Sequence, residues 1–209
     1  MTTFPTLQRS LVAILRGLDP ADAEAVGAAI FEAGIHALEV PLNSPDPFRS
    51  IAILARTLPD GALVGAGTVL AAADVDRLAE SGGRLLVSPN IDATVMERAA
   101  LHALVTMPGV FSPTEAFLAI RLGASALKFF PASVLGPGGI AAVRAVLPPD
   151  MPVGVVGGIS EADFPAYAKV GVRLFGLGSS LFRPGMSVAD VASRARAAVQ
   201  AWDGVFGTG

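Results

Sequence analysis

The stretch "LVAILRGLDPADAEAVGAAIFEAGIHALEVPL" (residues 11–42) decides the fold. Two short apolar runs, 11–17 and 37–42, flank an Ala-rich amphipathic segment. Asp19 reads as its N-cap, Pro20 as its first helical residue and Gly34 as its stop. Near-continuous apolar strands joined through a helix indicate a parallel sheet covered on its outer face. The unit recurs along the chain. Further runs stand at 62–69, 84–90, 104–110, 126–132, 152–158 and 173–179, which makes eight. "SPTEAF" repeats the helix-start signal with Ser112, Pro113 and Glu115. Eight units favour a single (β/α)8 TIM barrel over a doubly wound open sheet, which usually has fewer strands. The expectation is one barrel domain over residues 1–209, with tight loops, since such barrels typically need about 250 residues.

Bulk composition narrows the function. The chain is 52% hydrophobic and carries a net charge of −3, with no basic patch or tail. Nucleic acid and anionic membranes are therefore not expected partners. Cysteine is absent, which excludes thiolate nucleophiles, disulfides and Cys-ligated metals. No basic n-region with a cleavage site opens the chain, and no apolar segment is long enough for a bilayer, so a soluble cytoplasmic protein is expected.

In such barrels the chemistry sits at the C-terminal ends of the strands. "ALKFFP" there holds Lys128, one of only two lysines in an arginine-rich chain. Strand alternation sets Lys128 opposite Leu127 and Phe129 and in line with Phe130. If Leu127 and Phe129 meet the helices, Lys128 points into the barrel. Desolvation then favours the free amine, a nucleophile toward ketones. The other reading is a barrel lysine neutralised by a carboxylate; arginine would make the better permanent ion pair. Glu39, in "ALEVPLNSP", is costly among Ala, Leu and Val unless it meets a cation or moves a proton. It is read either as a salt-bridge partner of Arg16 or Lys128, or as an acid/base beside the amine.

Arg16 ends the first run and is either a surface arginine or a clamp for a carboxylate or phosphate. Thr68, in "GAGTV", offers a hydroxyl to a carboxylate; its glycines lack the third position of a dinucleotide fingerprint. Gly157-Gly158 and Gly178-Ser179 close the last two runs. Glycine turns after strands seven and eight form the usual phosphate cradle of this barrel, against plain tight turns as the alternative. His36 and His102 lie toward the N-terminal strand ends, and neither zinc spacing nor a Ser-His-Asp arrangement is present, so no metal is expected.

With these positions in place, the chain resembles the Schiff-base aldolases that cleave 2-keto-3-deoxy-6-phospho sugar acids, the KDPG/KHG aldolases. The motifs "AILRG", "LEVPLNSP", "VGAGTVL", "VSPN", "MPG", "TEAF", "LKFFPAS", "VGGIS" and "GLGSSL" keep the family's order nearly end to end. The resemblance implies that Lys128 forms an imine with pyruvate and that Glu39 is the acid/base. It assigns the pyruvate carboxylate to Arg16 and Thr68, the pocket walls to Pro89 and Phe130, and the phosphate to the backbone of Gly157, Gly158, Gly178 and Ser179. It implies a phosphorylated sugar acid as substrate, pyruvate and glyceraldehyde 3-phosphate as products, no cofactor, and a homotrimer. Two departures from the gluconate-cleaving pattern, Asn43 for an arginine and Val155-Val156 for a threonine, are similar to the galactonate branch; the gluconate type is the near alternative. Outside the family, the rivals are a non-catalytic phosphosugar-binding barrel and a barrel isomerase or synthase with Glu39 as its base.

Overall fold

The computed structural model describes residues 2–207. Its first half alternates β1 (Leu11–Ile14), α1 (Ala23–Glu32), β2 (Ala37–Pro41), α2 (Pro47–Thr57), β3 (Leu63–Gly67), α3 (Ala72–Glu80), β4 (Leu85–Val87) and α4 (Ala93–Leu101). Then come β5 (Val105–Met107), β6 (Gly109–Val110), α5 (Pro113–Arg121), β7 (Leu127–Phe129), α6 (Ala132–Arg144) and β8 (Val153–Val156). A 3-10 turn runs into α7 (Phe164–Ala168), followed by β9 (Leu174–Leu177) and α8 (Val188–Phe206).

All strand pairs are parallel, in the order β5-β4-β3-β2-β1-β9-β8-β7-β6. The two ends of that order are one run of sequence, 105–110, interrupted at Pro108. Proline brings no N–H to a ladder. The chain therefore pairs with β4 before the proline and with β7 after it. Thr106 and Pro108 carbonyls also accept from Ala126 and Lys128 amides, each at 3.0 Å. The ring closes through this kinked strand, as a barrel requires and an open sheet does not. The eight expected strands are there, the fifth in two pieces.

Strand alternation sorts the core. Leu38, Val40, Leu127, Phe129, Val155 and Phe175 face the helices. Val12, Ile14, Leu63, Leu85, Val105, Met107 and Leu174 fill the barrel's interior, with Phe4 and Leu7 packed against them. Ser125 donates to the carbonyl of Thr2 at 2.6 Å, and Arg9 forks onto Asp203 at 2.7 and 2.8 Å. The segment before β1 is thus held across the barrel's lower end.

Two helix starts were expected from capping grammar. Ser112 caps α5 in a full capping box with Glu115, as its sequence indicates. The start of α1 differs. Asp19 caps Ala21, but the bonds that follow, Asp22 to Asp19 and Ala23 to Pro20, span three residues. A tight 3-10 turn is used first, and the regular helix begins only at Ala23. Gly34 ends the unit at φ +104°, a left-handed geometry suited to glycine. Among the described residues, no helix is long and apolar enough to cross a membrane.

Candidate active site

Lys128 points into the barrel from β7. It is 6% exposed, while Leu127 and Phe129 on either side are fully buried toward the helices. Its register partners are Gly109 and Gly154, so neither neighbouring strand puts a side chain beside it at that level. Its Nζ lies 4.9 Å from the ring centroid of Phe130. Burial pulls the amine down to about 8; Arg16 pushes the same way, and Glu39 opposes.

Glu39 faces inward from β2 at 2% exposure, in register with Ile14 and Gly65. A Cβ on Gly67 would come within 2.0 Å of Glu39 Oε2, so only glycine leaves room for the carboxylate. That Oε2 is buried without a hydrogen-bond partner. Burial lifts the carboxyl to about 7, with Lys128 and then Arg16 opposing. The expected alternative, a salt bridge to Arg16 or Lys128, does not form among the described residues. The inward positions of β2 and β7 are fixed by different strands, which leaves the two groups beyond salt-bridge range yet near enough to feel each other's charge. Burial pushes both groups toward neutrality, and their opposite charges resist that shift.

Above them opens a cavity of about 600 Å³. Arg16, Phe130, Gly157, Gly158, Gly178 and Ser179 all line it, so six of the expected residues meet there. Lys128 and Glu39 do not line it, but each neighbours a residue that does: Lys128 Nζ lies over the Phe130 ring, and Glu39 is in register with Ile14. Thr68 and Pro89 stand at the ends of β3 and β4, outside the lining. Thr68 holds φ +56°, a strained conformation for a β-branched residue. The Pro89 carbonyl packs so closely on Gly109 that a Cβ there would meet it at 2.1 Å. Of Val155-Val156, Val156 lines the cavity and Val155 faces the helices. His36 and His102 lie at the other end, before β2 and after α4.

The rim shows contacts that motif reading missed. Arg16 donates to Asn43 Oδ1, and the Gly17 amide to Ser44 Oγ at 2.9 Å, tying the β1 and β2 ends together. Asn43 is neutral, and among the described residues Arg16 makes no salt bridge. Ser180 Oγ donates to the Ile159 carbonyl at 3.1 Å, clasping the two glycine turns. Arg183 braces Ser179 O at 2.9 Å, and Arg194 braces Ser180 O at 3.0 Å. Gly157 and Gly158 sit at φ +96° and +73°, where L side chains are strained. Among the described residues, the amides of Gly158, Ile159, Ser179 and Ser180 make no backbone hydrogen bond. The signal for the bracing arginine was present: Arg183 follows Ser179 by four residues, one helical turn.

A desolvated amine, a neighbouring carboxyl near neutrality and a cavity rimmed by guanidiniums and unbonded amides suit imine chemistry on an anionic carbonyl compound. Comparisons with known proteins point the same way. The family model for KDPG and KHG aldolase matches residues 6–196. A Rhizobium meliloti protein named as a probable 2-dehydro-3-deoxy-6-phosphogalactonate aldolase is 59% identical, over 98% of this chain and 96% of its own. A solved structure titled native KDPGal superposes with a TM-score of 0.94 at 43% identity, covering 98% of both chains. A Legionella pneumophila KDPG aldolase, titled as holding pyruvate captured at low pH as a covalent carbinolamine, superposes at 0.80 with 26% identity, over 95% of this chain and 94% of that one. The protein is an aldolase, a carbon–carbon lyase, and the chain belongs to the KDPG and KHG aldolase family.

Proposed function

We propose that this aldolase cleaves 2-dehydro-3-deoxy-6-phosphogalactonate to pyruvate and D-glyceraldehyde 3-phosphate through an imine on Lys128. The observation that carries the reading is Lys128 itself: buried inside the barrel, without a salt-bridge partner among the described residues, and depressed to about 8 near a carboxyl raised to about 7. The free amine attacks the C2 ketone, and the carbinolamine loses water to give an iminium. Removal of the C4 hydroxyl proton, with Glu39 accepting it through water, breaks C3–C4 and sends the bonding pair to the iminium nitrogen. The aldehyde leaves. The enamine is protonated at C3, and the pyruvate iminium is hydrolysed to free Lys128.

Arg16 and the Thr68 hydroxyl take the carboxylate in this scheme, and Pro89 and Phe130 wall the reacting end. The backbone of Gly157, Gly158, Gly178 and Ser179 takes the phosphate. The strained Thr68 backbone and the unbonded amides of the glycine turns support those roles. Val156 gives the cavity an apolar wall where a hydroxyl would read the C4 epimer, which fits the galactonate compound. The carbinolamine in the Legionella pneumophila relative supports the first step.

Borohydride with pyruvate tests the reading. A reduced adduct should appear by mass spectrometry on the peptide bearing Lys128; an unmodified chain, or an adduct on Lys169, would overturn it. The reading also carries a homotrimer. Leu70, Phe111 and Phe117 are exposed apolar residues after β3, after β6 and on α5, the kind of side chain that contact with a second copy buries. Sedimentation equilibrium at a single-chain mass would remove that part.

A further inference from the structure

Among the described residues, two charged side chains line the cavity, Arg16 and Arg183, and no carboxylate joins them. They differ in how they are held. Arg16 gives a terminal nitrogen to Asn43. Arg183 gives its Nε to the Ser179 carbonyl at 2.9 Å, and among the described residues its terminal nitrogens have neither a hydrogen bond nor a salt bridge. A guanidinium has five N–H donors in a planar fork. Anchoring Nε orients the plane and leaves the two-pronged end open to an anion, with less freedom to lose on binding. The anchor is in the Gly178–Phe182 turn, where the Ser179 and Ser180 amides make no backbone hydrogen bond among the described residues. Pro184, the next residue, packs over Gly17, so closely that a Cβ there would meet its Cγ at 2.6 Å. The arginine therefore sits on the turn assigned to phosphate, on a loop seated against the barrel rim.

We propose that Arg183 is a substrate-binding residue whose guanidinium grips the phosphate of the bound sugar acid from the open side of the cavity. This rests on the aldolase reading and adds a charged side-chain contact to its backbone cradle. It makes Arg183 a determinant of preference for phosphorylated over unphosphorylated aldehydes. Arg194 is the internal control, since it braces the same turn at Ser180 but does not line the cavity.

The test is condensation of pyruvate with D-glyceraldehyde 3-phosphate and, separately, with D-glyceraldehyde. Arg183→Met should raise KM for the phosphorylated aldehyde about tenfold or more beyond any change with the other, the scale of charge-assisted hydrogen bonds. Arg183→Lys should recover part of that difference, and Arg194→Met should show much less of it. Equal changes on both aldehydes, no change, or an Arg194→Met defect matching Arg183→Met would overturn the proposal. Pyruvate trapping on the unsubstituted protein is scored first. Its failure would bring down the aldolase reading, whereas a retained adduct with an unselective Arg183→Met removes the phosphate contact alone.

Discussion

The lower and upper parts of the barrel interior are built by the same strands with the same period of two, yet they hold opposite chemistry. Near the N-terminal strand ends, Val12, Leu63, Leu85, Val105 and Leu174 interlock, and Phe4 and Leu7 pack against them. One or two steps further along, the inward positions include Glu39 on β2, Gly65 and Gly67 on β3, Lys128 on β7 and Gly154 on β8, among the apolar Ile14, Met107 and Val156. The lower layer removes apolar area from water, at about 1.5–3 kcal/mol for each large aliphatic side chain. The upper layer removes two ionisable groups from water with no ion pair between them, which works against folding. Stability and reactivity are thus separated along one axis. Gly67, whose missing side chain leaves room for the Glu39 carboxylate, marks where one gives way to the other.

The sharpest way to break that contrast is to make the upper layer resemble the lower. Lys128→Met keeps a long, unbranched side chain and removes the amine. Turnover should fall by more than about 10⁴-fold, the scale seen when a covalent nucleophile is lost. Stability should move the other way. The folded-state pKa of Lys128, about 8, is below the 10.5 of the unfolded chain. The cost of burying its ammonium is therefore complete below about pH 8, shrinks as pH rises, and is gone above the unfolded value. Glu39 is largely neutral below its own value of about 7. A melting curve near pH 6 therefore isolates the lysine, and Lys128→Met should melt a few degrees higher there, on the scale of about 2–4 °C per kcal/mol. A lower melting temperature would show that Lys128 stabilises the fold, and would erase the distinction between the layers.

Much of this was legible in the sequence, because parity along a strand is a local property. "ALKFF" and "ALEVP" each place one charged residue among apolar ones, and alternation alone turns that residue inward. The capping box at Ser112 and Glu115 is equally local. What was hidden depends on the closed ring. Whether Glu39 and Lys128 form an ion pair is set by the distance across the barrel, which no window of sequence contains. Pro108 was visible within "MPG", but its effect, splitting one strand between two neighbours, appears only once β4 and β7 are in place. At α1, Asp19 gave the right signal and the wrong boundary, because its side chain caps a 3-10 turn that precedes the helix. Arg183 shows the reverse case. Its spacing from Ser179 was readable, but its value as an anion contact depends on which way the turn faces.

A smaller change separates the two members of the upper layer. Glu39→Gln keeps the shape in the space beside Gly67 and removes the charge. If Glu39 moves the C4 proton, kcat should fall about 10²–10⁴-fold, the usual range for a general acid/base, while pyruvate still forms its adduct on Lys128. The pH dependence of that adduct tests the coupling. The Glu39 carboxylate favours the ammonium form of Lys128, so its charge holds the amine's pKa up against burial. Without it, desolvation and Arg16 act unopposed, and the pKa should drop below about 8. The rate of pyruvate-dependent inactivation by borohydride should then rise at a lower pH in Glu39→Gln than in the unsubstituted protein. An unshifted or upward-shifted limb would mean that the carboxylate does not sense the amine. The upper layer would then be two independent buried groups rather than two charges that sense each other.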